Sequence, residues 1–102
     1  MSSMSIINLQ GQFTGTGASA SVPVTGVANL LLSFNGASAT VEIQRSFDGG
    51  STWYTLSKDS TPNPASYTDD INASIDEFEY GVLYRFNCTS YTSGTITYRL
   101  SR

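Results

Sequence analysis

Apolar and polar positions alternate with a period of two along most of this chain, the spacing of a half-buried strand. Ile7 and Leu9 lead through Gly11 to Phe13, predicting an N-terminal strand that Gly15 and Gly17 then break. Ala20 to Val24 reads as a short strand, with Pro23 placing it at an edge. Val27 to Phe34 is a largely apolar run, and Asn35-Gly36 after it is a strong turn signal. Over Thr40 to Phe47, Val41 and Ile43 face one way while Thr40, Glu42 and Gln44 face the other. Trp53 to Leu56 returns, Lys58 to Pro64 is a loop, and Ala65–Thr68 and Ala73–Ile75 are short strands. Glu79 to Gly81 closes that region.

From Leu83 to Ser90 the alternation puts Tyr84, Phe86 and Cys88 on one face and Arg85, Asn87 and Thr89 on the other. Tyr91-Thr92-Ser93-Gly94 reads as a hairpin turn into a last strand, Thr95 to Ser101. No window sustains the i, i+3, i+4 spacing of a helix. Short strands separated by turn signals predict an all-β chain folded as a small antiparallel β-sandwich. Gly81 three residues before Tyr84, at the head of the penultimate strand, resembles the corner of Ig-like and fibronectin-like domains, with a jelly-roll-like sandwich as the alternative. On that reading Tyr84 is half-buried and its hydroxyl bonds nearby backbone. The expected organisation is an extended N-terminal arm over residues 1–17 and one β-sandwich domain over residues 18–102. The arm could add a strand to a neighbouring subunit or be a frayed terminus, and both readings stand.

At 102 residues with 39% apolar positions, the chain holds one core. Only 13% of residues are charged, and Ser and Thr make up more than a quarter. The formal net charge is -3 and the five cations, Arg45, Lys58, Arg85, Arg99 and Arg102, form no run. Nucleic-acid binding, which needs a basic patch, is not expected. Arg85 or Arg99 could form cross-strand pairs with Glu42. The acidic stretch Asp69, Asp70, Asp76, Glu77, Glu79 reads as a solvated loop and lacks the spacing of a calcium loop. A single cysteine, Cys88, precludes an intrachain disulfide and reads as a small buried hydrophobe. The longest apolar run is too short to span a bilayer, and no signal peptide is visible, so synthesis in a cytoplasm is expected.

The stretch SFDGGSTWY, Ser46 to Tyr54, fits the S-x-D-x-G-x-T-W pattern of an Asp-box turn. The residues explain themselves as a turn. Asp48 can accept backbone amides, Gly49 and Gly50 permit positive φ, Ser46 or Thr52 can tie the strands, and Trp53 can fold over the bend. Ser46, Asp48, Gly50 and Trp53 are therefore structural candidates, and Trp53 or Tyr54 could also contact a sugar from the loop tip. The chain has no histidine, which removes Ser-His-Asp and Cys-His catalysis and the commonest metal ligand. Neither a pair of carboxylates with a reason to converge nor any nucleotide, cofactor or metal motif is visible. The expectation is a protein without enzymatic activity or cofactor.

VEIQRSFDGGSTWYTL and EYGVLYRFNCTSYTSGTITYRLSR together resemble small virion-associated proteins of tailed bacteriophages. The likeness covers roughly the last 60% of the chain. It implies a structural virion role, with a capsid decoration (cement) protein first and a tail, neck or fibre-base component second. It further implies production in the host bacterial cytoplasm and incorporation into the virion. The implied partners are the major capsid protein or other virion proteins, and a homo-oligomer, with a trimer favoured. Candidate partner contacts are Trp53, Tyr54, Tyr91, Arg45 and Arg99, since Trp, Tyr and Arg dominate interface hot spots. A carbohydrate-binding attachment module, with glycan as ligand, is the reading from a different class.

Overall fold

A computed structural model describes residues 8–57 and 64–102. Among the described residues eight strands are formed: β1 (Asn8–Phe13), β2 (Gly17–Ala18), β3 (Val22–Ser33), β4 (Ser38–Ser46), β5 (Tyr54–Thr55), β6 (Ser66–Tyr67), β7 (Ile71–Ser93) and β8 (Ile96–Ser101). All pairings are antiparallel, in the order β1-β8-β3-β7-β4-β5, with β2 added to β7 and β6 to β4. The expected loop over 58–63 lies outside the described residues.

One hydrogen-bonded sheet becomes a sandwich because β7 is too long to stay straight. Its 23 residues would extend about 76 Å at ~3.3 Å per residue, whereas the longest dimension of the molecule is 43 Å. β7 therefore serves two layers. Its first part, Ile71 to Glu77, pairs with Gly26–Leu32 of β3, beside β8 and β1. Its second part pairs with β4, whose far side carries β5 and β6. The layers close over one core. Leu9, Phe13, Ala28, Leu30, Leu32, Ile96, Tyr98 and Leu100 come from one, and Val24, Val41, Ile43, Val82, Tyr84, Phe86 and Cys88 from the other. The Phe86 and Tyr98 rings, on strands that do not pair, lie 5.1 Å apart. The molecule is all-β and antiparallel, consistent with a small Ig-like sandwich.

Several expectations are met residue by residue. Val41 and Ile43, and Tyr84, Phe86 and Cys88, are all buried. Asn35 (φ 47°) and Gly36 (φ 82°) make the turn after β3, closed by the Ala37 amide on the Phe34 carbonyl at 2.8 Å. Val22–Val24 pair with β7 alone, which leaves Pro23 on an edge.

Others need correction. Tyr91 to Gly94 is not a hairpin turn, because β8 pairs with β1 and β3 rather than with β7, so the connection arches between layers. The segment expected as an arm, residues 1–17, is partly sheet. Residues 8–13 form β1, paired with β8 from Asn8↔Ser101 to Phe13↔Ile96, with Leu9 and Phe13 in the core. Residues 1–7 lie outside the described residues. Finally, Glu79–Gly81 does not end an element. β7 continues through it by means of a bulge.

Candidate interaction surface

The Asp-box turn is built as its residues require. Asp48 Oδ1 accepts the Thr52 amide and the Ser46 hydroxyl, each at 2.8 Å. These bonds hold its carboxyl down at about 2, against an ordinary 3.8, the Thr52 amide contributing most. Ser46 Oγ is fully buried and accepts the Gly50 amide at 2.9 Å. Gly49 and Gly50 take positive φ. The Trp53 indole donates to the Gly50 carbonyl at 3.0 Å, and the Arg85 guanidinium covers its ring at 4.1 Å. Trp53 is thus occupied within the turn and offers little of a platform for a sugar.

Beside the turn lies an aromatic face. Arg45 and Tyr54 are cross-strand partners. Tyr54 is 57% and Phe47 48% exposed, with ring centroids 6.3 Å apart. The Arg45 guanidinium sits 5.0 Å from the Phe47 centroid, a cation–π distance. It is not free to swing, because its Nη1 bonds Glu77 Oε1 at 2.8 Å.

Glu77 ties this face to the middle of β7. It is buried, yet each carboxylate oxygen is used. Oε1 accepts the Tyr84 hydroxyl and Arg45, both at 2.8 Å, and Oε2 accepts the Glu79 amide at 3.1 Å. Burial pushes the Glu77 carboxyl up, but the bonds from Tyr84 and Arg45 outweigh it and leave it below its usual value. Burial and Glu77 push the Tyr84 phenol up to about 12. Tyr84 therefore differs from expectation: it is fully buried, and a carboxylate rather than backbone accepts its hydrogen bond. An Ig-type corner would bond locally, but Glu77, seven residues upstream, returns to the same point through the bulge.

The bulge itself is the feature that sequence reasoning missed. Between Val24↔Val82 and Gly26↔Glu77, Thr25 alone faces Phe78, Glu79, Tyr80 and Gly81. Phe78 is 90% and Tyr80 86% exposed. The bulge is pinned from beneath by Glu77 on the Glu79 amide and from the side by Thr25 Oγ1 on the Glu79 carbonyl at 3.3 Å. Phe78 also rims a cavity of about 420 Å³ shared with Arg45, Leu56, Ile75, Asp76 and Tyr84. No local signal announced it, since DEFEYG alternates polar and aromatic residues before a glycine just as a strand with its rings turned to the core would.

The remaining candidates are dispersed. Tyr91 is half-buried and its hydroxyl donates to the Gly94 carbonyl at 2.6 Å, within its own arch. Arg99 is exposed on β8, beside a hollow of about 300 Å³ lined by Asn29, Leu30, Leu31, Asn72 and Ser101. Neither Arg85 nor Arg99 pairs with Glu42. Arg85 Nε donates to Gln44 Oε1 at 3.0 Å, in the register Gln44↔Arg85, and Glu42 Oε1 takes the Thr55 hydroxyl at 2.9 Å. Cys88 is buried, its thiol pushed up by burial. Among the described residues no cluster of acidic or thiol groups could hold a metal, and no helix is long and apolar enough to cross a membrane.

The site therefore combines a fixed arginine, exposed rings and a preorganised bulge, which suits binding to a surface. No protein-family model, curated protein or solved structure matches the chain.

Proposed function

We propose that this protein is a structural component of a bacteriophage particle, of the capsid decoration type, and that it docks on the capsid through the Arg45–Phe47–Tyr54 face. The single observation that carries the reading is that face. Two half-exposed rings flank an arginine already fixed by a buried carboxylate. Binding there immobilises little that is not immobile beforehand, so less of the contact energy is lost to ordering. Aromatic and arginine side chains are also the residues that anchor protein interfaces. The likeness of the two C-terminal sequence blocks to virion-associated phage proteins supplies the kind of partner.

Cryo-electron microscopy of particles purified from a producing lysate, with mass spectrometry of the same particles, tests the proposal. Density for a small β domain repeated over the head lattice is expected, with Phe47→Ala/Tyr54→Ala lost from the particles. Density only at the neck or tail would move the protein to the other virion class. Absence from particles would overturn the reading.

A further inference from the structure

A buried carboxylate and two bare aromatic rings stand next to each other in β7, and the rings forgo stability that burial would supply. Burying Glu77 carries a desolvation cost that its partners must offset. Leaving Phe78 and Tyr80 in water forgoes the burial that aromatic residues normally contribute. The carboxylate holds the bulge and the bulge presents the rings, so the stability given up is concentrated on presenting one protrusion. Glu79, between the rings, is exposed; its amide and carbonyl are bonded to the scaffold while its side chain is in no ion pair among the described residues. The convex element is thus apolar with a negative centre.

The opposite shape and sign occur elsewhere on the same chain. Of the described cations, Arg45 pairs with Glu77, Arg85 covers Trp53 and bonds Gln44, and Arg102 bonds the Thr25 carbonyl. Arg99 alone among the described residues has no such partner. It stands at the hollow of about 300 Å³ formed where β8, β3 and the first part of β7 lie side by side. Leu31, half-buried there, gives the hollow an apolar surface and Asn29, Asn72 and Ser101 a polar rim.

We propose that the Phe78–Gly81 bulge of one copy docks into the Arg99 hollow of a second copy. Phe78 and Tyr80 then pack on Leu31 and the Arg99 guanidinium, and Glu79 meets Arg99. Two buried aromatic side chains contribute about 300–500 Å², a large part of the roughly 800 Å² per partner in a specific interface. The contact joins two different patches, so it is heterologous and gives a ring if its rotation closes and a chain if it does not. The bulge adjoins the hairpin face through the cavity that Phe78 and Arg45 both line, but the contact does not depend on the capsid reading.

Sedimentation velocity of the full chain, from about 1 μM to about 1 mM to span weak and moderate affinities, tests it. Self-association is expected, weakened about tenfold or more by Phe78→Ala, by Tyr80→Ala and by Arg99→Glu. The double variant Arg99→Glu/Glu79→Arg recovers much of the loss. All four changes fall on exposed side chains, and circular dichroism checks that the fold is kept. A monomer throughout the range would overturn the proposal, pointing to a foreign partner for the bulge. So would association that ignores either patch, or a charge exchange that restores nothing.

Discussion

Replacing Glu77 by alanine tests whether this carboxylate is the structural centre of the bulge. The change removes three hydrogen bonds, from Tyr84, Arg45 and the Glu79 amide. Their losses are unequal. The Tyr84 hydroxyl is left inside the core without its acceptor, costing about 1–3 kcal/mol for a buried unsatisfied group. Arg45, with a third of its side chain exposed, recovers much of its loss through water. The Glu79 amide lies in the exposed bulge and can do the same. Relief of the carboxylate's own desolvation offsets part of the total. The net expectation is about 1–3 kcal/mol, which for a chain of this length lowers Tm by roughly 4–24 °C. Tyr84→Phe alone removes donor and bond together and should cost about 1–2 kcal/mol. Because the largest part of the Glu77→Ala cost is the stranded Tyr84 hydroxyl, the double variant should be less destabilised than the sum, by about 1 kcal/mol or more. Urea unfolding of the four proteins, with the slope monitored for two-state behaviour, measures this directly. A Glu77→Ala loss below about 0.5 kcal/mol, the scatter of ordinary surface substitutions, or additive losses, would refute the assignment.

Acid titration should report the same carboxylates. Glu77 and Asp48 both have folded values below their ordinary ones, so their contributions are complete above about pH 5. They fall as pH drops from 4.5 for Glu77 and from 3.8 towards about 2 for Asp48; a wild-type stability flat from pH 5 to pH 2 would contradict this. At the alkaline end Tyr84 has a raised value, so its contribution is present below pH 10 and lost as pH rises towards about 12, and Tyr84→Phe should lack that decline in thermal melts. Gly11→Ala would place a methyl group 2.7 Å from Cζ of Tyr98, a ring already packed 4.8 Å from Phe13 and 5.1 Å from Phe86. A loss of about 1–3 kcal/mol in denaturant unfolding is expected from overpacking, and a neutral result would mean β1 yields easily. Ser46→Ala strands the Gly50 amide beneath the Asp-box and should cost about 1–2 kcal/mol, with hydrogen exchange at Gly50 rising faster than at the β4–β7 ladder.

The features legible in the residues alone were local ones. Alternation of period two assigned the inward faces of β4 and of the later part of β7, since side chains on a strand point alternately whatever the sheet around them. Asn35-Gly36 and SFDGGSTW specified turns because their backbone shapes and side-chain caps involve residues within four positions of one another. Long-range pairing governed everything that depended on partners far along the chain. Whether Tyr91–Gly94 was a hairpin or an arch depended on β8 finding β1 and β3 instead of β7. Arg85 found Gln44 rather than Glu42 because register sets which side chains face each other. Glu77, one of five acids in a stretch that reads as solvated, became a buried anchor only because Arg45, 32 positions away, arrives on β4 to meet it. The bulge is the same case: four residues of β7 opposite one of β3 is a property of the pairing, and neither strand carries it alone. The exposed rings of Phe78 and Tyr80 therefore had no local signature, since isolated aromatic residues near a glycine fit a core strand as well as a protrusion. Their place in water follows from a buried carboxylate that long-range contacts put beneath them.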